Sequence, residues 1–272
     1  MTGADPISGF PGGTTPYAEY QHLDVLLSIQ QTRSDSPDES LFLTVAQAME
    51  LMFKATRDEV AAVRAFITGD DVGSATELVE RPRRLLLALT ACWDVHATIT
   101  TAGYLGFRHI LLDGSGFQSP SYRRLEFVLG NKQPKLAQVH RGTAFGTDVD
   151  RDLLEPSLWD EIHRLLARRG LLEPNAAVLQ TDPALPYEPS ETVEAAWLKI
   201  YRDGGPIDLL RLADRLVDLA SAFHDFRQTH LVTVERLMGH RPGTGGTSGV
   251  PWLRRIADHR FFPELWSVRT LL

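Results

Sequence analysis

The chain has 272 residues, 43% of them hydrophobic, and its 28 Lys+Arg against 35 Asp+Glu give a net charge of -7 and a pI near 5.7. An acidic balance argues against nucleic acid as partner, because phosphate contacts demand a basic face. With Cys92 as its one cysteine, the chain can build neither an internal disulfide framework nor a thiolate zinc site, and a reducing, cytoplasmic setting is expected.

The opening stretch MTGADPISGFPGGTTP has no basic region followed by an apolar core, so it does not read as a secretory signal. Its Gly, Pro and Thr content predicts a flexible arm over residues 1–16, followed by a single domain over 17–272. The segment SPDESLFLTVAQAMELMFKATRDEVAAVRAFITGD carries helix-start marks: Ser36 as N-cap, Pro37 at the first helical position and Glu39 to close a capping box. Its apolar face runs Phe42, Val45, Ala46, Met49, Met52, Phe53, Val60, Val63 and Phe66. A second box, Ser74 to Glu77, opens the run through LVERPRRLLLALTACWDVHATI, where Pro82 either kinks the helix early or marks its true beginning. The apolar stretch RLLLALTACW is too short to span a membrane, which takes roughly 20 residues.

SPSYRRLEFVLGNK repeats the Ser-Pro start at Ser119 and Pro120 and stops at Gly130, and PSLWDEIHRLLARRG stops at Gly170. The longest periodic run extends from Ile207 to a stop at Gly239. Period-two alternation is nearly absent, while residues 141–156 and 173–189 read as loops. The expected fold is all-α, a bundle of long helices.

Two features on and after the last long helix raise a functional question. Its buried stripe reads Leu212, Leu216, Leu219, Phe223, Phe226, His230, Val234 and Leu237, so His230 occupies a core position. It is either a satisfied core imidazole or an axial ligand to haem iron. No HExxH pattern is present, and His224 and His230 lie on different helix faces, which argues against a mononuclear zinc site. GTGGTSG, from Gly243 to Gly249, follows a helix and has no Lys after its last Gly, so it is no phosphate cradle. It reads as a flexible connector or as a lid closing over a ligand.

Taken in chain order, YAEYQHLDVLLSIQ, YLGFRHIL, GSGFQSPSYRRLEFVLGNK, HLVTVERLMG, GTGGTSGV and FFPELWSVRT resemble the tryptophan 2,3-dioxygenase family over nearly the whole chain. The resemblance implies an all-α homotetramer with one b-type haem per subunit, which inserts oxygen from O2 into the indole ring of L-tryptophan. It places His230 as the proximal haem ligand, with Ser115 and Trp93 beside the cofactor. It makes Arg108 the residue that grips the substrate carboxylate, as a planar guanidinium fork suits. Tyr104 and Phe42 become pocket walls, and Thr244 meets the substrate's ammonium or carboxylate. Tyr17 and Tyr20 correspond to tyrosines that the family inserts from a neighbouring subunit.

The sequence departs from the family at two places. The family's FIxxHQxxELWLK puts a distal histidine over the haem; here FLTVAQAMELMFK has Ala46. The apolar residue after the second tyrosine is Gln21. The loss of that imidazole, and the volume it frees, lead to the expectation of an oxygenase at indole C2/C3 of L-tryptophan or a modified tryptophan such as a β-methyl one. Its expected product is a 2-oxindole of secondary metabolism. The alternatives are ring cleavage to N-formylkynurenine and, from another class, a haem-binding sensor or carrier without turnover.

Overall fold

Proline at a first helical position recurs down this chain, and the computed structural model, which describes residues 13–272, shows what it starts. The expected arm lies outside the described residues up to residue 12. Helices α1 (Pro16–Tyr20), α2 (Leu23–Leu26), α3 (Pro37–Thr68), α4 (Val72–Leu78), α5 (Glu80–His96), α6 (Thr101–Phe107) and α7 (Pro120–Leu129) are followed by α8 (Pro134–Ala137), α9 (Gly146–Leu154) and α10 (Leu158–Arg168). The chain then forms α11 (Glu191–Arg202), α12 (Ile207–Met238), α13 (Val250–Ala257) and α14 (Pro263–Leu271). No strand occurs among the described residues, so the fold is the all-α bundle that the periodicity predicts.

Several start signals act differently from their expected roles. Ser36 is the N-cap of α3, but its hydroxyl makes no capping bond. The Glu39 carboxylate accepts instead from the backbone N–H groups of Arg33 (2.6 Å) and Ser34 (2.7 Å) in the preceding turn, so its lone pairs are already satisfied and no capping box closes. Nor does Ser74 begin a helix: Asp71 caps α4 by accepting from the Ser74 N–H at 3.0 Å. Pro82 lies in the first turn of α5, where a missing N–H costs nothing, so it marks a beginning and not a kink. On α3 the core side is taken over by Ile67, and Phe66 is left 38% exposed. A step of four from Val63 keeps a 3.6-residue helix on its face better than a step of three does.

The segment 141–156 is not the expected loop, because it contains α9. Its buried large apolar residues are only Val149 and Leu153, one turn apart, among acidic residues. Asp152 is nevertheless buried, and Arg57 (Nε, 3.0 Å) and Arg124 (Nε, 2.6 Å) both donate to it. Buried Lys132 closes the helix end by donating to the carbonyls of Asp152 (2.5 Å), Leu153 (2.9 Å) and Glu155 (2.7 Å). Burial lowers this ammonium to about 8. The orphan carbonyls of a helix C-terminus are thereby satisfied by a single side chain.

Helix α12 packs along α5, and α3 packs along α5 and α7. The predicted stripe Leu212, Leu216, Leu219, Phe223 and Phe226 is buried, each side chain contributing roughly 1.5–3 kcal/mol. Gly239 ends α12 at φ 58 and ψ -139, a conformation that a residue with a Cβ adopts only under strain. No single helix among the described residues is long and apolar enough to cross a membrane.

His163 is 1% exposed, and neither ring nitrogen has a partner among the described residues. Burial between Trp159 and Tyr187 lowers its pKa to about 3. The unfolded chain binds a proton there near pH 6.5 while the folded chain refuses it, so stability falls as the pH drops from 6.5 toward 3. Urea unfolding across that window should show the decline, and His163→Leu should make it shallower, leaving the part contributed by the other buried histidines.

Candidate active site

Where α3, α5, α6, α7 and α12 converge, they leave a cavity of about 360 Å³, in the range of small-molecule sites. The helical periods aim Phe42 and Ala46 into it from successive turns of α3, Trp93 and His96 from α5, Tyr104 from α6, and His230 from α12. Ser115 and Thr244 line it from the loops.

His230 is held flat against Trp93, with ring centroids 4.2 Å apart and planes 9° off parallel. Its accessible surface is intermediate, but that surface opens into the cavity. Burial, helped by nearby His96, lowers its pKa to about 4, so at neutral pH the imidazole is uncharged and has a lone pair to give. Neither of its nitrogens makes a hydrogen bond among the described residues. His96 stands close by, 3% exposed, between the rings of Phe42 and Trp93 at 5.2 Å from each. Its pKa is also lowered, chiefly by burial, with the Phe42 carbonyl opposing.

One wall is charged. Arg123, Glu126 and Arg227 are all but fully buried, and Arg123 and Arg227 line the cavity. Arg227 donates through Nη2 to Glu126 at 2.5 Å and through Nε to the Tyr122 hydroxyl at 3.0 Å. Arg123 donates to the other Glu126 oxygen. Burial alone would raise the Glu126 pKa, but the two guanidinium groups outweigh it and hold the carboxyl below its usual range. Two cations share one anion, and Arg123 Nε has no partner among the described residues. A cationic guanidinium on the wall of a cavity would favour an anionic group bound there.

The glycine loop is closed down. Thr244 donates its hydroxyl to the Gly114 carbonyl at 2.5 Å, Gly243 N–H meets the Thr247 carbonyl at 3.1 Å, and Arg108 Nη2 donates to the Pro242 carbonyl at 2.6 Å. Arg108 thus holds the base of the loop and is not itself on the cavity lining, while its Nε is buried without a partner among the described residues. Tyr17 and Tyr20 on α1 are 69% and 88% exposed, Gln21 beside them is exposed, and none of the three lines the cavity.

The donor set fits a haem. A bare metal ion needs three or four protein ligands, whereas an iron carried in a macrocycle needs one axial imidazole. Among the described residues no group of three or more His, Cys, Asp or Glu side chains could hold a metal ion. The cavity instead offers neutral His230, aromatic walls and, at Arg123, a place for a carboxylate.

The tryptophan 2,3-dioxygenase family model matches residues 4–157 and 151–272 of the chain. The chain belongs to this family. Among its relatives, the tryptophan 2,3-dioxygenase of Caulobacter vibrioides is 45% identical over 258 residues, covering 94% of this chain and 98% of the relative. That of Exiguobacterium sibiricum is 42% identical, covering 94% and 92%, and that of a Polaromonas species is 43% identical, covering 93% and 87%. Membership makes the chain one of a family of haem-dependent oxidoreductases. Of the residues singled out in the sequence, Phe42, Ala46, Trp93, Tyr104, Ser115, His230 and Thr244 come together on one cavity. Sequence reasoning missed His96 and the Arg123–Glu126–Arg227 cluster. The one available signal was charge inside an otherwise apolar helix, the i,i+3 pair of RRLE.

A Cβ on Gly245 would lie 2.7 Å from the Cβ of Ser115. Gly245→Ala should therefore lift the loop, costing about 1–3 kcal/mol of stability and speeding hydrogen exchange at the amides of residues 243–249.

Proposed function

We propose that this chain is a haem-dependent oxygenase of the indole ring, acting on L-tryptophan or a substituted tryptophan. The observation that carries the reading is His230, a neutral imidazole with no hydrogen-bond partner among the described residues, on the wall of an aromatic cavity whose loop is closed. Haem, when bound, would supply the binding and activation of O2. His230 would hold the iron, Arg123 would meet the cofactor's carboxylate, and Ser115 and Trp93 would lie beside it.

Phe42 and Tyr104 would flank the indole. Thr244, which lines the cavity, would meet the amino-acid end of the substrate, and Arg108, whose Nε has no partner among the described residues, would take the carboxylate. The loop's contacts with Gly114 and Arg108 hold it over the cavity, where it would limit the access of water to a bound substrate and strengthen each polar contact inside. The exposed tyrosines Tyr17 and Tyr20, with Gln21, suit a role in completing a neighbouring subunit's pocket, which makes a homotetramer the assembly proposed. The acidic charge and lone cysteine suit a cytoplasmic enzyme.

Two outcomes are set apart by position 46. The names of the relatives favour ring cleavage to N-formylkynurenine, with both atoms of O2 retained, over the 2-oxindole expected from the sequence. The second reading, 2-oxindole formation in secondary metabolism, rests on Ala46, whose methyl group faces the cavity. It offers no proton acceptor and leaves room for a β-methyl substituent.

Mass spectrometry of products formed from tryptophan and β-methyltryptophan under labelled dioxygen separates them. A ring-opened product with two labelled atoms supports cleavage, and a 2-oxindole with one supports the second reading. Absence of any oxygenated product overturns both. His230→Ala should lose the histidine-ligated Soret band of the haem-loaded protein. Arg108→Ala should raise KM, with a loss of about 2–5 kcal/mol in substrate binding if a buried ion pair is broken; an unchanged KM would remove Arg108 from the substrate site.

A further inference from the structure

His96 carries a hydrogen-bonding atom that nothing among the described residues uses. Its Nε2 lies 3.3 Å from the Phe42 carbonyl oxygen. A carbonyl oxygen only accepts, so Nε2 bears the proton and Nδ1 of the neutral ring presents a lone pair. That Nδ1 is buried and has no partner among the described residues. The residue is 3% exposed and lines the cavity, so water outside the protein cannot satisfy it. A buried acceptor left without a donor costs free energy comparable to a lost hydrogen bond, and such a group calls for a partner absent from the protein itself.

The surroundings say what kind of donor fits. The His96 ring sits between Phe42 and Trp93, with centroids 5.2 Å from each and tilts of 34° and 49°. A ligand reaching Nδ1 must present an N–H at the edge of a flat apolar body that tolerates aromatic neighbours. Trp93 Nε1, a donor and equally unpartnered, is within the same group of rings but makes no hydrogen bond to His96. Glu50 also lines the cavity, but it is only partly buried and carries no such debt.

We infer that His96 is a substrate-recognition residue, whose Nδ1 accepts the ring N–H of the indole held in the cavity. This rests on the reading of the cavity as a tryptophan-type site. It assigns to α5 an acceptor that α3 lacks at Ala46. A pocket built to bond an N–H rejects an isostere without one, because the acceptor is then left bare. The residue therefore sets specificity for the ring heteroatom.

The test compares L-tryptophan with 3-(benzothiophen-3-yl)-L-alanine, which keeps the bicyclic shape and replaces N–H by sulfur. Binding to the haem-loaded protein is read by calorimetry, without turnover. The wild-type protein should prefer tryptophan by about tenfold, and His96→Leu should reduce the preference to within about twofold or invert it. His96→Asn, whose amide oxygen falls near the Nδ1 position, should restore part of it. This variant also keeps the test decisive if the leucine variant does not fold.

A preference that survives in His96→Leu overturns the inference and passes the role to another acceptor such as Glu50. Equal binding of the two ligands to the wild-type protein overturns it too, while leaving the tryptophan-site reading intact. If tryptophan does not bind the wild-type protein at all, that reading fails first and this one with it.

Discussion

Glu126 accepts hydrogen bonds from Arg123 and Arg227, and all three are withdrawn from solvent. Removing a charge from water costs several kcal/mol even after relaxation, and the cost is offset only when each partner is held in place. The cluster therefore ties α7 to α12 with little tolerance for drift. Through Arg227 it reaches the Tyr122 hydroxyl and the His259 carbonyl at 3.3 Å, and the same guanidinium lies over the rings of Phe223 and Phe261. Arg227 precedes His230 by three residues, so the restraint that fixes α12 in rotation also fixes the direction of the imidazole. The geometry of the cavity depends on this arrangement of charge.

Much of the scaffold is legible in the sequence because long helices repeat their message. Five buried positions at three-and-four spacing place α12, and the Ser119-Pro120 start with the Gly130 stop delimits α7. His230 stands out for the same reason, as a polar residue on an otherwise apolar stripe. The glycine loop is visible as composition, and its closed form follows from close approach to Ser115.

What is hidden in the sequence depends on contacts between distant segments. The Glu39 carboxylate looks like half of a capping box, yet two backbone amides of the preceding turn claim it. α9 has too few apolar residues to announce itself, since Asp152 is buried by virtue of arginines at 57 and 124. His96 lies at the end of a mixed segment, and only the fold reveals that one nitrogen has a carbonyl and the other no partner among the described residues. Arg108 reads as a substrate clamp from its neighbours in sequence, whereas in the fold it fastens the loop.

The hold of Arg108 on the loop has a thermodynamic consequence. An arginine side chain in solvent samples many rotamers, and immobilising it on ligand arrival typically costs 0.5–1.5 kcal/mol, an approximate range. The bond from Nη2 to the Pro242 carbonyl restricts those rotamers as the chain folds. Were a carboxylate to bind Arg108 as proposed, it would meet a fork already oriented, and association would be spared that entropy loss.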